Sequence, residues 1–510
     1  MKSLNKKPVF KTYNPHQQFL LPPSLDELIP QRHPVRLVGS IIDEIDLDIL
    51  SKQYKGGGTS SYHPRMLLKV LVYGYLSNIY SSRKLEAACK ENIHFMFLSG
   101  MSYPDHHTIN RFRSERLKHV LKEVFAQVVF LLNETGQIEL KDIYTDGTKI
   151  EANANRYSFV WGKAIKTSQE RIARQLEELW SYSQQVAKAE RQQTPPDFND
   201  TDPQKVRQTI ESINQALRDK EVDPKVKQKL NYAAKNWPAK LEQYALQKEI
   251  LGERNSYSKT DPDATFMRMK EDHMLNGQLK PGYNLQISTH KQFIVNYSIH
   301  QKPTDTTTLI PHLEAYKKMY GFHPQQLTAD AGYGSHQNYQ FLDKENIEAF
   351  VKYGSFAKEQ QQTIANPIGH PDQLHYDAQG DCYFCPMGQK MDYIGTVTKV
   401  TATGFNQELS RYRAQNCSEC PLHGPCHKQQ GNRIMEVNQQ LNRLKAMARE
   451  KLISPQGIAK RKQRCYDVEP VFGNIKQNKN FKRFMLRGCD KVEIEAGLLA
   501  LAHNLKKWAA

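Results

Sequence analysis

The sequence predicts a mixed α/β protein, and three observations carry that reading. Apolar residues recur at helical spacing from Ser24 to about Gly136. Short alternating segments follow, among them IELKDIYTDGTKIEANA, YNLQIS, FIVNYSIH and QQLTADAGYGS, which read as strands. Between the first strand and the others lies a long polar stretch with two helical stripes, so the strand region is interrupted rather than extended. Helices, then strands broken by a helical insertion, then alternating helix and strand, then a basic helix give an α/β core with insertions.

The elements follow in order. Residues 1–20 read as a flexible polar arm and 21–136 as a helical domain. Leu67, Leu68, Leu71 and Tyr75 make one helical stripe, and Ser81 or Ser82 opens a short helix. A helix is then predicted from the N-cap Asp105 to a stop at Gly136. Its start, DHHTINRFRSER, suggests a helix-turn-helix-like DNA reader in which His106, Asn110, Arg111 and Arg113 face a groove or phosphates. Residues 137–162 and 253–355 make the first part of the core. The insertion 163–252 is a helical hairpin, with Ile172, Leu176, Leu179 and Val186 on one stripe and Val206, Ile210, Ile213 and Leu217 on another. Residues 356–435 form a cysteine-rich insertion. Residues 436–510 complete the core with a basic helix that starts at Ser454–Pro455, where Pro470 should kink it or begin a new turn.

Composition narrows the partners. The chain has 510 residues, 39% hydrophobic, and a net charge of +17. No apolar run approaches the ~18 residues of a membrane span, and the basic N-terminus lacks a hydrophobic signal core, so a cytoplasmic, nucleoid-associated protein is expected. The positive excess favours a polyanion, with nucleic acid ahead of membrane. It is uneven: from Gly431 onward there are about ten more basic than acidic residues.

Cutting a DNA phosphodiester, or joining one to a 3′-hydroxyl, needs an activated nucleophile and a stabilised leaving oxygen. Two Mg²⁺ ions about 4 Å apart supply both, and they want carboxylate ligands. Asp146 in YTDGTK and Asp330 in TADAGYGS each read as the end of an apolar strand followed by small residues. Alone, such an aspartate is ordinarily a turn former or helix cap. Glu469 supplies a third acid in a basic setting, with Lys476 two helical turns on and roughly on the same face. Arg461 and Arg464 precede it, and Lys479, Lys482, Arg483 and Arg487 follow as candidate phosphate contacts. Asp261, Asp263, Asp272 and Asp305 could supplement the site, but read more simply as structural.

YTDGTKIEAN, TADAGYGS and RKQRCYDVEPVFGNIKQN together resemble the three catalytic blocks of DDE transposases from bacterial insertion sequences. KTDPDATFMRMKEDHMLNGQLKPGYNLQIST and QKPTDTTTLIPHLEAY are similar to the branch with an N-terminal helical domain and a cysteine cluster before the final glutamate. The resemblance runs from about residue 15 to 508. It implies a ribonuclease-H-like catalytic fold, two Mg²⁺ ions (with Mn²⁺ as a substitute), and movement of a DNA element through its terminal inverted repeats. It makes Asp146, Asp330 and Glu469 the metal-binding catalytic acids and Lys476 the DNA-contacting lysine. A homodimer is expected, since two DNA ends must be brought together. The related signature has a tyrosine and an arginine ahead of the glutamate. Here those positions hold Lys462 and Cys465, with Arg464 one place off.

Five of eight cysteines lie between Cys382 and Cys426. Paired C-x2-C hooks suit tetrahedral Zn²⁺, with Cys385, Cys417, Cys420 and Cys426 as the favoured ligands and Cys382 as the alternative fourth. Two other functions fit the same residues: a transposase-derived DNA-binding protein without catalysis, and a metal-dependent nuclease that cuts without joining.

Overall fold

Strand β1 (Asp142–Glu151) alternates Ile143, Thr145 and Gly147 with Tyr144, Asp146 and Thr148, and the main sheet is assembled around it. The computed structural model describes residues 24–54, 61–118, 120–186, 195–269, 277–361 and 368–510. The expected arm at 1–20 and the candidate acid Asp272 lie outside them.

Three short strands precede the next long strand pair: β2 (Phe159–Trp161) with its partner β3 (Ser256–Ser258), then β4 (Thr265–Arg268), which lies beside the long β5 (Leu279–His290). β6 (Phe293–His300), β7 (Gln326–Ala329) and β8 (Glu348–Val351) complete the main sheet. β5 lies antiparallel to β1 from Tyr144–Thr289 to Glu151–Gly282. On the other side β7 runs parallel to β1, and β8 runs parallel to β7. β4 pairs with the first residues of β5 and β6 with the rest. A mixed sheet of this kind, antiparallel on one side of β1 and parallel on the other, is the ribonuclease-H-like core expected.

Both insertions carry cores of their own. Helices Gly162–Val186, Pro203–Ala216 and Pro224–Leu251 bury Ile172, Leu176, Leu179, Val206, Ile210, Ile213 and Trp237 against one another. The stripes suggest two or three helices folded back as a hairpin, and the insertion has three. The cysteine-rich region is a second sheet of five strands, β9 (His375–Asp377), β10 (Cys382–Phe384), β11 (Lys390–Val400), β12 (Asn406–Ala414) and β13 (Ile434–Val437), all antiparallel. Tyr383, Met391, Tyr412, Met435 and Val437 form its core.

The chain divides into two compact units, 1–116 with 505–510, and 117–504. The first is helical. Prolines 34 and 64 start two of its helices, with the Nδ1 atoms of His33 and His63 accepting from backbone N–H groups as N-caps. The helix expected from Asp105 to Gly136 is broken. Asp105 does cap it, but His106–Arg111 passes into a π-helical turn, Phe112–Arg116, and a separate helix, Leu121–Glu134, belongs to the second unit. The unit boundary therefore falls at Arg116 rather than 136.

Beneath β1 a buried polar chain runs from Thr145 Oγ1 to Ser288 Oγ (2.7 Å), His312 Nε2 (2.8 Å), and from His312 Nδ1 through Ser298 Oγ to His300 Nε2 (both 2.7 Å). Burial holds His312 well below its ordinary value, and burial, then Lys122, push His300 down to about 4. Both rings are neutral in the folded state at neutral pH. Below 6.5 the unfolded chain takes up protons that the folded chain does not, so this stability is present at pH 7 and is lost as pH falls from 6.5 toward about 4. Thermal melting should show a Tm about 3 °C lower at pH 5 than at pH 7. In His312→Gln, melting should be lower at pH 7 and flatter across that window.

Candidate active site

Asp146 does not end its strand. Thr148 and Ile150 continue the alternation, and β1 stays paired with β5 as far as Glu151. What ends is the parallel pairing with β7, at Thr145–Ala329. One residue further, the same register sets Asp146 beside Asp330. Asp330 does leave its strand: it caps the turn Ala331–Tyr333, its Oδ1 accepting from the Ala331 N–H at 2.6 Å. The two aspartates thus come from neighbouring parallel strands at the point where the strands part, which opens space between their carboxylates.

Glu469 arrives from the other end of the chain. Ser454 caps the helix Pro455–Asp467, with Pro455 at its first position, and that helix packs across β1, β7 and β8. Pro470 does not kink it. The chain stays helical through Val468, and Pro470 starts a new short helix, Glu469–Gly473. Lys460 reaches Asp142, and one turn later Arg464 Nη1 lies 3.1 Å from Asp146 Oδ2. The other guanidinium nitrogen, Nη2, stands 3.6 Å from Glu469 Oε1. Arg464 is buried and Asp146 is partly so, whereas the Glu469 side chain is 56% exposed. Arg464, expected to touch DNA, is the link between two of the three acids.

A fourth carboxylate belongs to this region. Asp305 Oδ1 accepts from Asn284 Nδ2 at 2.8 Å and Gln286 Nε2 at 2.9 Å. A Cβ on Gly147 would meet Asp305 Oδ1 at 2.7 Å and clash with the Gln286 amide, so glycine after Asp146 is required by this close approach. Tyr333 donates to Gln286 Oε1 from full burial. Its hydroxyl is pushed well above its ordinary value by burial first, then by Asp305, Asp146 and Asp330, with Arg464 opposing. One buried phenol therefore feels all of these charges. The signal for Asp305 in the sequence was the run of alternate polar residues Asn284, Gln286 and Ser288 in a buried strand. By contrast Asp261 accepts from Tyr283 and the Gly488 N–H, and Asp263 from the Cys489 N–H, which are structural roles.

Several expected DNA contacts are turned inward. After Gly473 the helix widens into a π-turn, Asn474–Asn478, which destroys the two-turn spacing from Glu469 and buries Lys476 beside Ile475. Lys479 is fully buried. Arg483 donates to the carbonyls of Ala152 (3.1 Å) and Ala154 (3.3 Å), and Arg487 to that of Asn153 (2.7 Å), so both lace 482–487 to the end of β1, although both remain exposed. Arg461 is half-buried over the Phe356 ring. In the first unit Arg113 is buried, donating to Tyr80 O (2.7 Å) and Asn110 Oδ1 (3.1 Å). His106 Nδ1 meets Glu86 Oε2 at 2.7 Å, and Arg111 is exposed beside Glu115. Arg113 is a helix-packing residue because its length lets it reach a carbonyl across the domain.

Cys385, Cys417, Cys420 and Cys426 line one small cavity with His423, His427 and Arg433, while Cys382 lies outside that lining. The Arg433 backbone N–H is 3.4 Å from Cys417 Sγ, and its Nη1 is 3.0 Å from Cys426 Sγ. Among the described residues no group of three or more His, Cys, Asp or Glu side chains stands ready to hold a metal ion.

Two families match. Residues 384–509 match the Transposase DDE domain, and residues 23–115 match the Transposase domain (DUF772). Both matches support a DDE transposase of an insertion sequence. Domains of this kind imply a DNA partner and the use of divalent metal. The first match includes Glu469 and the cysteines from Cys385 onward, but neither Asp146 nor Asp330. No curated protein matches the chain. Among the described residues no helix is long and apolar enough to cross a membrane.

The two arginines of the helical unit should separate by stability. Arg113→Met should cost about 2–4 kcal/mol in denaturant unfolding, because it orphans the Tyr80 carbonyl and the Asn110 amide. Arg111→Ala should change stability by less than about 0.5 kcal/mol.

Proposed function

We propose that this transposase binds the terminal inverted repeats of an insertion sequence and catalyses metal-dependent strand cleavage and strand transfer, with Asp146, Asp330 and Glu469 as the metal-binding acids. The observation that carries the proposal is the link between two of the acids, since Arg464 faces both Asp146 and Glu469, while Asp330 follows directly on the strand that pairs with β1 as far as Thr145–Ala329. The residues suit hard divalent ions by type, since all three are carboxylates, and a guanidinium stands as a cation between two of them. Bound Mg²⁺, or Mn²⁺ in its place, would supply the charge that activates the attacking oxygen and stabilises the leaving one. The chain's part is to hold the acids. Asp146 is fixed by its strand, Asp330 by its turn, and Glu469 by the helix end that follows Arg464. The partly exposed Glu469 faces the side from which DNA can approach, and exposed Lys462, Lys482, Arg483 and Arg487 surround the same stretch of chain as phosphate contacts. His106, Asn110 and Arg111 remain candidate contacts in the helical unit. The enzyme acts as a homodimer on nucleoid DNA, because a single copy cannot hold both element ends.

The deciding assay uses purified protein, Mg²⁺ and DNA carrying the element's ends. Asp146→Asn, Asp330→Asn and Glu469→Gln should each lower cleavage and joining at least about a thousandfold, about 4 kcal/mol of barrier, while DNA binding persists. Full activity in any of them would remove that residue from the site. Cleaved DNA without joined product would favour a nuclease, and binding alone a regulator.

Within the same proposal, Cys385, Cys417, Cys420 and Cys426 hold a structural Zn²⁺. Their shared cavity and the Arg433 donors aimed at two of the sulfurs support it, because thiolates need such donors. Metal analysis should find about one zinc per chain. Cys417→Ser should lose it and melt the β9–β13 sheet at lower temperature. Zinc-free protein with an unchanged melt would refute the site.

A further inference from the structure

Arg464 is buried among acids yet incompletely satisfied. Its side chain is 8% exposed, its two terminal nitrogens face Asp146 and Glu469, and its buried Nε has no hydrogen-bond partner. Taking a guanidinium out of water costs several kcal/mol, which only well-placed anions offset. Here the anions are the acids that the proposed function assigns to metal. The two carboxylates that face the guanidinium come from elements far apart in the chain, Asp146 from β1 and Glu469 from the segment after the helix. Without it, carboxylates gathered this closely would repel one another or take up protons.

A divalent ion and Arg464 would compete for the same oxygens. If metal came to Asp146 and Glu469 while the guanidinium stayed, like charges would face each other at close range in a poorly screened site. We propose that Arg464 is an internal counter-cation: it occupies Asp146 and Glu469 in the free protein, holds Glu469 near the aspartates, and must be displaced when metal binds. It is a positioning residue that sets metal affinity, and a DNA phosphate is its natural alternative partner. This rests on the reading of Asp146 and Glu469 as metal ligands. It would make DNA and metal binding mutually reinforcing, since each favours the state in which the arginine has left the acids.

The test is direct Mn²⁺ binding to the full chain, followed by the electron paramagnetic resonance signal of free Mn²⁺. Arg464→Gln should bind Mn²⁺ at least about fivefold more tightly than the unaltered protein, and Asp146→Asn should lose that binding in both backgrounds. Equal or weaker binding in Arg464→Gln, with the Asp146→Asn loss intact, would overturn the counter-cation and leave the metal-ligand reading standing. Mn²⁺ binding that Asp146→Asn does not change would instead defeat the metal-ligand reading itself. A second measurement needs no folded Arg464 variant. In the unaltered protein, phenylglyoxal should spare Arg464 without metal and modify it at saturating Mn²⁺, read by peptide mass spectrometry. Protection that persists with Mn²⁺ would also overturn the proposal.

Discussion

The catalytic body depends on the seating of the helix Pro455–Asp467 on the sheet through paired charges. Lys460 and Arg464, one turn apart, meet Asp142 and Asp146, four residues apart on one face of β1. The partners are 318 residues apart in the chain. Such pairs add little net stability, because the desolvation of each ion offsets most of the attraction. Their effect is on register. An apolar helix could slide along the sheet at small cost, whereas a half-turn shift here would strand one buried and one half-buried cation. The pairing therefore fixes where the helix ends, and with it the position of Glu469.

This constraint explains how the chain tolerates its insertions. Between β1 and the helix lie a three-helix module and a five-stranded sheet, each with a separate apolar core. Neither has to supply packing for the main sheet. The loop-closure cost of so much intervening chain grows only slowly with length. The long pairing of β1 with β5 and the packing of the helix across β1, β7 and β8 offset it at the two places where the core is rejoined.

The elements that could be read from the sequence were those set by neighbours along the chain. The stripes of the helical insertion, the caps at Asp105 and Ser454, and the strands flanking Lys291–Gln292 all follow from local spacing and local hydrogen bonding. The two aspartates were legible as strand residues followed by small ones, although Asp146 turned out to be the end of a pairing, not of a strand. The misreadings concern charge. Arg113, Lys476 and Lys479 count as surface cations in any sequence window, yet all three are buried. What buries them is remote: a carbonyl 33 residues away for Arg113, and a π-turn that no spacing rule anticipates for Lys476. Asp305 was named as a possible supplement to the site but read as structural for the same reason, since what surrounds it, the amides of Asn284 and Gln286 and the close Gly147, is remote in sequence.

The net charge of +17 consequently has two meanings that composition cannot separate. Part of it is exposed and available to phosphates, as at Lys482, Arg483 and Arg487. Another part is internal and exists because the site concentrates acids. A centre that attracts divalent ions, as proposed for this one, would have to survive without them, and carboxylates half out of water are costly unless some cation stands in. Arginine suits that place better than lysine. It stays charged when buried, and its planar fork can face two carboxylates at once. Placing it on the helix just before the one that opens at Glu469 also means that whatever draws the arginine away acts on the segment holding that acid. The buried cation and the acid after the helix end thus form one electrostatic unit with β1.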